Sequence, residues 1–88
     1  MKFFYVYVLY NKEKNFIYIG YSSNLKQRIK EHNSGKSKST KHYVPLNLIF
    51  YEAYSTKSDA KRRENYLKTN KGRTTLITML KDYFNSKS

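Results

Sequence analysis

Hydrophobic positions in this chain fall into blocks whose period changes along its length. Phe3 to Tyr10 is apolar throughout, which at this length predicts a strand covered on both faces. Split by a period of two, it turns Phe4, Val6 and Val8 to one side and Phe3, Tyr5, Tyr7 and Leu9 to the other. The polar stretch Asn11-Lys12-Glu13-Lys14-Asn15 reads as a hairpin turn, and Phe16 to Tyr21 as a second strand. There Ile17 and Ile19 point one way, Tyr18 and Gly20 the other. Each strand thus has an aliphatic face and a tyrosine face.

The period then becomes helical. Asn24 is an N-cap with Gln27 at the third helical position, predicting a helix from Leu25 to about Asn33 that stops at Gly35. Leu25 and Ile29 mark its buried stripe, and Arg28 and His32, four apart, share one flank. Ser34 to His42 is a basic, flexible loop closed by Pro45, and Leu46 to Tyr54 reads as a third strand. Thr56 with Asp59 opens a helix through Ala60 to about Thr69. Asn70-Lys71-Gly72 reads as a break, before a last helix from Thr75 to Phe84 with Leu76, Met79, Leu80 and Phe84 inward. The order ββαβαα predicts one α+β domain over residues 1–88: a small three-stranded antiparallel sheet flanked by helices.

Composition narrows what such a domain can do. Leu, Ile, Val and Phe make up only 20 of the 88 residues, so the core is thin and excludes a large enclosed cofactor. Ten tyrosines extend that core with hydroxyls that need partners. Eighteen Lys and Arg against six Asp and Glu give a formal charge of +12, a field that attracts polyanions, nucleic acid first among them. An anionic membrane surface is the competing attractor, but no stretch approaches the apolar length of a span. The aromatic start has no small-residue cleavage site and alternates like a strand, so it reads as a strand rather than a leader. The absence of cysteine excludes disulfides and thiolate metal sites and points to the cytoplasm.

Three groups of residues carry candidate chemistry. Ala60, Glu64 and Leu67 share one helix face, the apolar one, so Glu64 points toward the protein body. It serves either an ion pair with Lys61 or Lys68 or a divalent cation. Arg28 offers a planar fork for phosphate oxygens, against the alternative of a solvated basic face, and His32 is a candidate proton acceptor or a structural histidine. Tyr7 and Tyr18 share a sheet face with Gly20, whose missing side chain allows a ligand close to the backbone. Tyrosines interleaved with lysines can stack bases, but Tyr5, Tyr10, Tyr51, Tyr54, Tyr66 and Tyr83 read as core builders.

The ordered series Val6-Tyr7-Val8, Tyr18-Ile19-Gly20, Leu25-Lys26-Gln27-Arg28 and Glu31-His32-Asn33 resembles the GIY-YIG nuclease family. Ala60-Lys61-Arg62-Arg63-Glu64 resembles that family's metal-binding helix. The resemblance spans about residues 3 to 70 and is nearest to small stand-alone bacterial members related to the nuclease domain of an excision-repair protein. It implies hydrolysis of DNA phosphodiesters with one divalent ion, Mg²⁺ or Mn²⁺, with structure-selective action in repair or recombination as the expected setting. By the same resemblance Tyr7 is the general base or water-orienting group and Tyr18 positions phosphate or water. Arg28 steadies charge on the scissile phosphate, Glu64 holds the metal, and His32 helps accept the proton. Nearby cations are expected to lower the Tyr7 pKa from its usual value of about 10.

Gly20, Lys36, Lys38, Lys41 and His42 are then the expected DNA contacts, made by charge and close approach. Tyr21 stands where some members have lysine, leaving His32 or Arg28 to serve the base, and Leu76 stands where larger members have asparagine. Without a recognition domain, sequence specificity would come from a protein partner. The alternatives are a nucleic-acid-binding module with little cleavage, and a basic domain docking on an acidic protein or membrane.

Overall fold

The computed structural model describes residues 2–86. Three strands, β1 (Phe4–Asn11), β2 (Phe16–Ser22) and β3 (Asn47–Tyr54), form one antiparallel sheet in the order β2-β1-β3. The helices are α1 (Leu25–Asn33), α2 (Lys57–Leu67), α3 (Asn70–Met79) and α4 (Lys81–Phe84), with a short 3₁₀ turn at Lys41–Tyr43. This is the expected α+β architecture, with one more α-helix and a 3₁₀ turn.

The two-faced strands divide the core in two. Val6, Val8 and Ile19 pack on the aliphatic side against Ala60 and Leu67 of α2 and Leu76 of α3. On the tyrosine side, Tyr7, Leu9 and Leu46 pack with Leu25 and Ile29 of α1, Phe16, Tyr18 and Tyr43. Because β1 is central and covered on both faces, Val6 to Leu9 have no exposed surface. Its uninterrupted apolar run has that cause.

The helix signals act as caps. Asn24 Oδ1 accepts from Gln27 N at 3.2 Å, and Thr56 Oγ1 from Asp59 N at 3.3 Å. Gly35, at φ 81°, closes α1 in a Schellman arrangement: its N–H bonds His32 O and the next N–H, of Lys36, bonds Glu31 O. Both side-chain groups of Asn33 bond the backbone of Leu46, at 2.7 and 3.0 Å. They occupy Leu46's backbone groups, and β3 starts at Asn47.

The reading of Asn70-Lys71-Gly72 as a break is corrected. Thr69 accepts from Gly72 N at 3.0 Å and starts α3 at Asn70. A Cβ at Gly72 would strike the Tyr66 and Leu67 backbone, so this glycine permits close packing of α3 on the end of α2. The expected last helix is divided at Leu80 into α3 and α4. Leu76 is buried as expected, but Met79 is 42% exposed. Its sulfur lies 3.6 Å from Arg63 Nη2, at a rim where that cation reaches water.

Candidate active site

Residues drawn from β1, β2, α1 and the basic loop meet on the tyrosine face. Tyr7 on β1 pairs across the sheet with Gly20 on β2, and its phenol lies over the glycine. A Cβ at Gly20 would stand 2.5 Å from Cζ and Oη of Tyr7 and 2.9 Å from Cε2 of Tyr18. The space left by the missing side chain thus holds Tyr7 itself, where the sequence led us to expect room for a ligand.

Above this pair α1 supplies His32, fully buried, where Leu25 and Ile29 had been the expected buried positions. Both ring nitrogens have partners: Nε2 lies 2.8 Å from Tyr7 Oη, and Nδ1 lies 2.8 Å from Thr40 Oγ1. That explains how a histidine is accommodated in so small a core. Tyr18 packs edge-on against the imidazole, with ring centroids 4.9 Å apart. Arg28, one turn earlier on α1 and a third exposed, donates to Glu31 Oε1 at 2.9 Å and places its guanidinium beside Tyr7.

Electrostatics assigns protonation states. Burial, then the neighbouring Tyr18, pushes the Tyr7 phenol up to about 12, with Arg28 opposing and Glu64 adding to the rise. The expectation that cations would lower this pKa is therefore corrected: desolvation outweighs Arg28. His32 is held below its ordinary value, first by burial and then by the Arg28 charge, against the weaker pull of Glu31. At neutral pH the pair is a neutral phenol bonded to a neutral imidazole.

Glu64 enters from α2, the helix whose Ala60 and Leu67 pack on the aliphatic face, with 6% of its surface exposed. Lys68 Nζ donates to Oε2 at 2.8 Å, and Lys61 Nζ lies 3.0 Å from Oε1. Burial pushes this carboxyl up, but the two lysines outweigh it and hold the pKa below the usual range. Its field reaches Tyr7. Lys61 also lies over the Tyr21 ring, 4.9 Å from its centroid, which puts an ammonium beside the residue after Gly20.

A divalent ion fits one atom in particular. Glu64 Oε1 is buried and accepts no well-directed hydrogen bond, although Lys61 is within ion-pair distance. Among the described residues no group of three His, Cys, Asp or Glu side chains is placed to hold a metal. An ion on Glu64 would take its other ligands from water and phosphate, a pattern Mg²⁺ tolerates.

Lys36, Lys38, Lys41 and His42 are exposed along the segment after α1. That segment is more tied down than the expected flexible loop. Thr40 is fully buried against His32, and Lys14 Nζ donates to His42 O at 2.6 Å. Thr40 is the site residue that sequence reasoning missed; nothing in Ser39-Thr40-Lys41 distinguishes it from a loop threonine. Two tyrosines read as core builders also need correction: Tyr51 is 53% and Tyr83 43% exposed. Tyr51 lies on the edge strand and Tyr83 in the short terminal helix, where one side faces water.

Comparison with known proteins decides the family. The GIY-YIG catalytic domain profile matches residues 3–77. The chain belongs to the GIY-YIG family. A UPF0213 protein of Staphylococcus haemolyticus is 46% identical over 66 residues, covering 74% of this chain and 79% of that one. A UPF0213 protein of Clostridium perfringens is 40% identical over 65 residues, covering 73% and 69%. The solution structure of a UPF0213 protein from Bacillus halodurans superposes with a TM-score of 0.54 at 33% identity, covering 90% of this chain and 85% of that one. GIY-YIG domains are generally nucleases that depend on a divalent metal and act on DNA. Among the described residues no helix is long and apolar enough to cross a membrane.

Proposed function

We propose that this GIY-YIG protein is a metal-dependent DNA endonuclease that hydrolyses phosphodiester bonds, acts on particular DNA structures, and works in repair or recombination. The observation that carries the proposal is the hydrogen-bonded line Tyr7–His32–Thr40 beside the Arg28 guanidinium. With its phenol pushed up to about 12, Tyr7 is not a standing phenolate. Tyr7 has no exposed surface in the free protein, so its role as a relay needs bound substrate to open the site: water then gives a proton to Tyr7 Oη as Tyr7 gives its own to His32 Nε2. This requires the tautomer with hydrogen on Nδ1, which donates to Thr40 Oγ1.

The water oxygen forms the new bond to phosphorus, and the opposite phosphorus–oxygen bond breaks. Such proton transfer contributes about 10²–10⁴-fold. Arg28 faces the negative charge that develops on the phosphate, and Tyr18 orients the phosphate or the water. A divalent ion on Glu64, when bound, supplies Lewis-acid stabilisation of phosphoryl and leaving-group charge. The exposed Lys36, Lys38, Lys41 and His42 hold flanking backbone, and a protein partner provides sequence specificity.

The ion pairs of Glu64 with Lys61 and Lys68 favour a second reading, a binding module that has replaced its metal with lysines. One experiment separates them: cleavage of labelled duplex, single-stranded and branched DNA with Mg²⁺, Mn²⁺ or EDTA, beside Glu64→Ala. Metal-dependent cutting lost in the variant, with binding retained, supports the nuclease. Salt-sensitive binding by both proteins without cutting supports the module.

A further inference from the structure

Beside the candidate site, the tyrosine face continues into an open groove of about 480 Å³ between α1 and the edge strand β3. Tyr5, Tyr51, Leu48, Leu25, Ile29 and Lys26 are among the residues that line it, with Ser23 and Asn24 just before α1. Its floor is the exposed part of the sheet. Tyr51 pairs across from Tyr7, so Gly20, Tyr7 and Tyr51 form one row over three strands. Tyr5 lies two residues before Tyr7 on the same face, about 7 Å along the strand.

The rings of Tyr5 and Tyr51 meet edge to face with centroids 6.1 Å apart, and Tyr51 remains 53% exposed. Among the described residues that line the groove none is acidic, and Lys26 is one of them in a chain of formal charge +12. An open groove with an exposed tyrosine ring and a lysine has the composition of a base-stacking platform, in which the Tyr51 ring takes the base and the charge takes its phosphate.

We propose that this groove is a stacking subsite for an unpaired nucleobase of DNA, next to the nucleotide whose phosphate meets Arg28. The inference rests on the nuclease reading and gives it a substrate class. A paired base is already stacked between its neighbours and reaches a protein ring only after unstacking, which costs energy. A single strand, flap or frayed junction presents the base without that cost. The platform therefore selects DNA with unpaired nucleotides beside the scissile bond, using the wall of the active site itself.

The test is binding in EDTA, so that no turnover is needed. Fluorescence anisotropy compares the wild type, Tyr51→Ala and Tyr51→Phe on a single-stranded oligonucleotide, on the same strand made abasic, and on the matched duplex. Loss of one stacked base weakens binding by about tenfold. We expect that loss for Tyr51→Ala on the single strand, less than about twofold on the duplex, and wild-type binding by Tyr51→Phe. On the abasic strand the wild type and Tyr51→Ala should bind alike. Because Tyr51 is mostly exposed, its truncation leaves both cores intact, which circular dichroism verifies. Equal losses on both DNAs, no loss on either, or a Tyr51-dependent dimer of the free protein would overturn the subsite. Failure of the wild type to bind any DNA would overturn the nuclease reading as well.

Discussion

Replacing Gly20 by alanine tests whether the site is built on a contact that only glycine allows. The new Cβ would lie 2.5 Å from Cζ and Oη of Tyr7, whereas carbon atoms in good contact stand about 3.5–4.0 Å apart. The end of Tyr7 must therefore retreat by about 1 Å. It cannot do so freely, because Tyr7 has no exposed surface and its hydroxyl is held 2.8 Å from His32. A retreat directed away from His32 stretches that bond beyond the useful limit of about 3.2 Å, and a sideways one bends it.

Overpacking costs about 1–3 kcal/mol, and leaving buried polar groups unpaired adds about 1–3 kcal/mol. The smaller backbone entropy loss of alanine offsets about 0.5–1 kcal/mol. Gly20→Ala should thus destabilise the domain by about 1–5 kcal/mol, read as a lower urea midpoint at unchanged slope. Cleavage should fall about 10²-fold from the misplacement of one reacting group. Gly35→Ala is the control: its φ of 81° costs backbone strain, but nothing lies within 4 Å of the new Cβ, so cleavage should persist. Wild-type stability and cleavage in Gly20→Ala would refute the reasoning, since Tyr7 would then have room to move.

Two further predictions concern charge. Because burial holds His32 below its ordinary 6.5, the unfolded chain binds more protons as pH falls past that value; stability is full above it and is lost as pH falls through the folded value. Urea midpoints should drop as pH falls below 6.5, along with cleavage, since a protonated His32 accepts nothing from Tyr7; an NMR titration placing His32 at or above 6.5 would contradict both. Converting the exposed Lys36, Lys38 and Lys41 together to alanine should leave the fold intact and flatten the slope of log K against log salt by about 2–3. An unchanged slope would place the DNA elsewhere.

Most of the scaffold is legible in the chain because it is written in local terms. The run from Phe3 to Tyr10, the caps at Asn24 and Thr56 and the turn after Asn11 each act over a few residues. The even spacing of Tyr5, Tyr7, Tyr18 and Gly20 follows from the pleat, so their common face is legible in the sequence. The reading failed where one sequence feature serves two physical purposes. Gly72 looks like a break, yet it sits inside a helix because α3 must approach the backbone of Tyr66. Tyr51 looks like core, yet its strand is an edge.

The sequence by itself determined the sheet, the helix order, the two faces of β1 and the presence of Tyr7, Tyr18, Arg28, His32 and Glu64 in a family-like series. Tertiary structure alone decided that His32 is buried between Tyr7 and Thr40, that Gly20 holds the phenol, and that the Tyr7 pKa moves up rather than down. Hydrophobic period and capping are properties of neighbours in the chain. Desolvation and hydrogen-bond partnership depend on what distant segments bring to the same few ångströms.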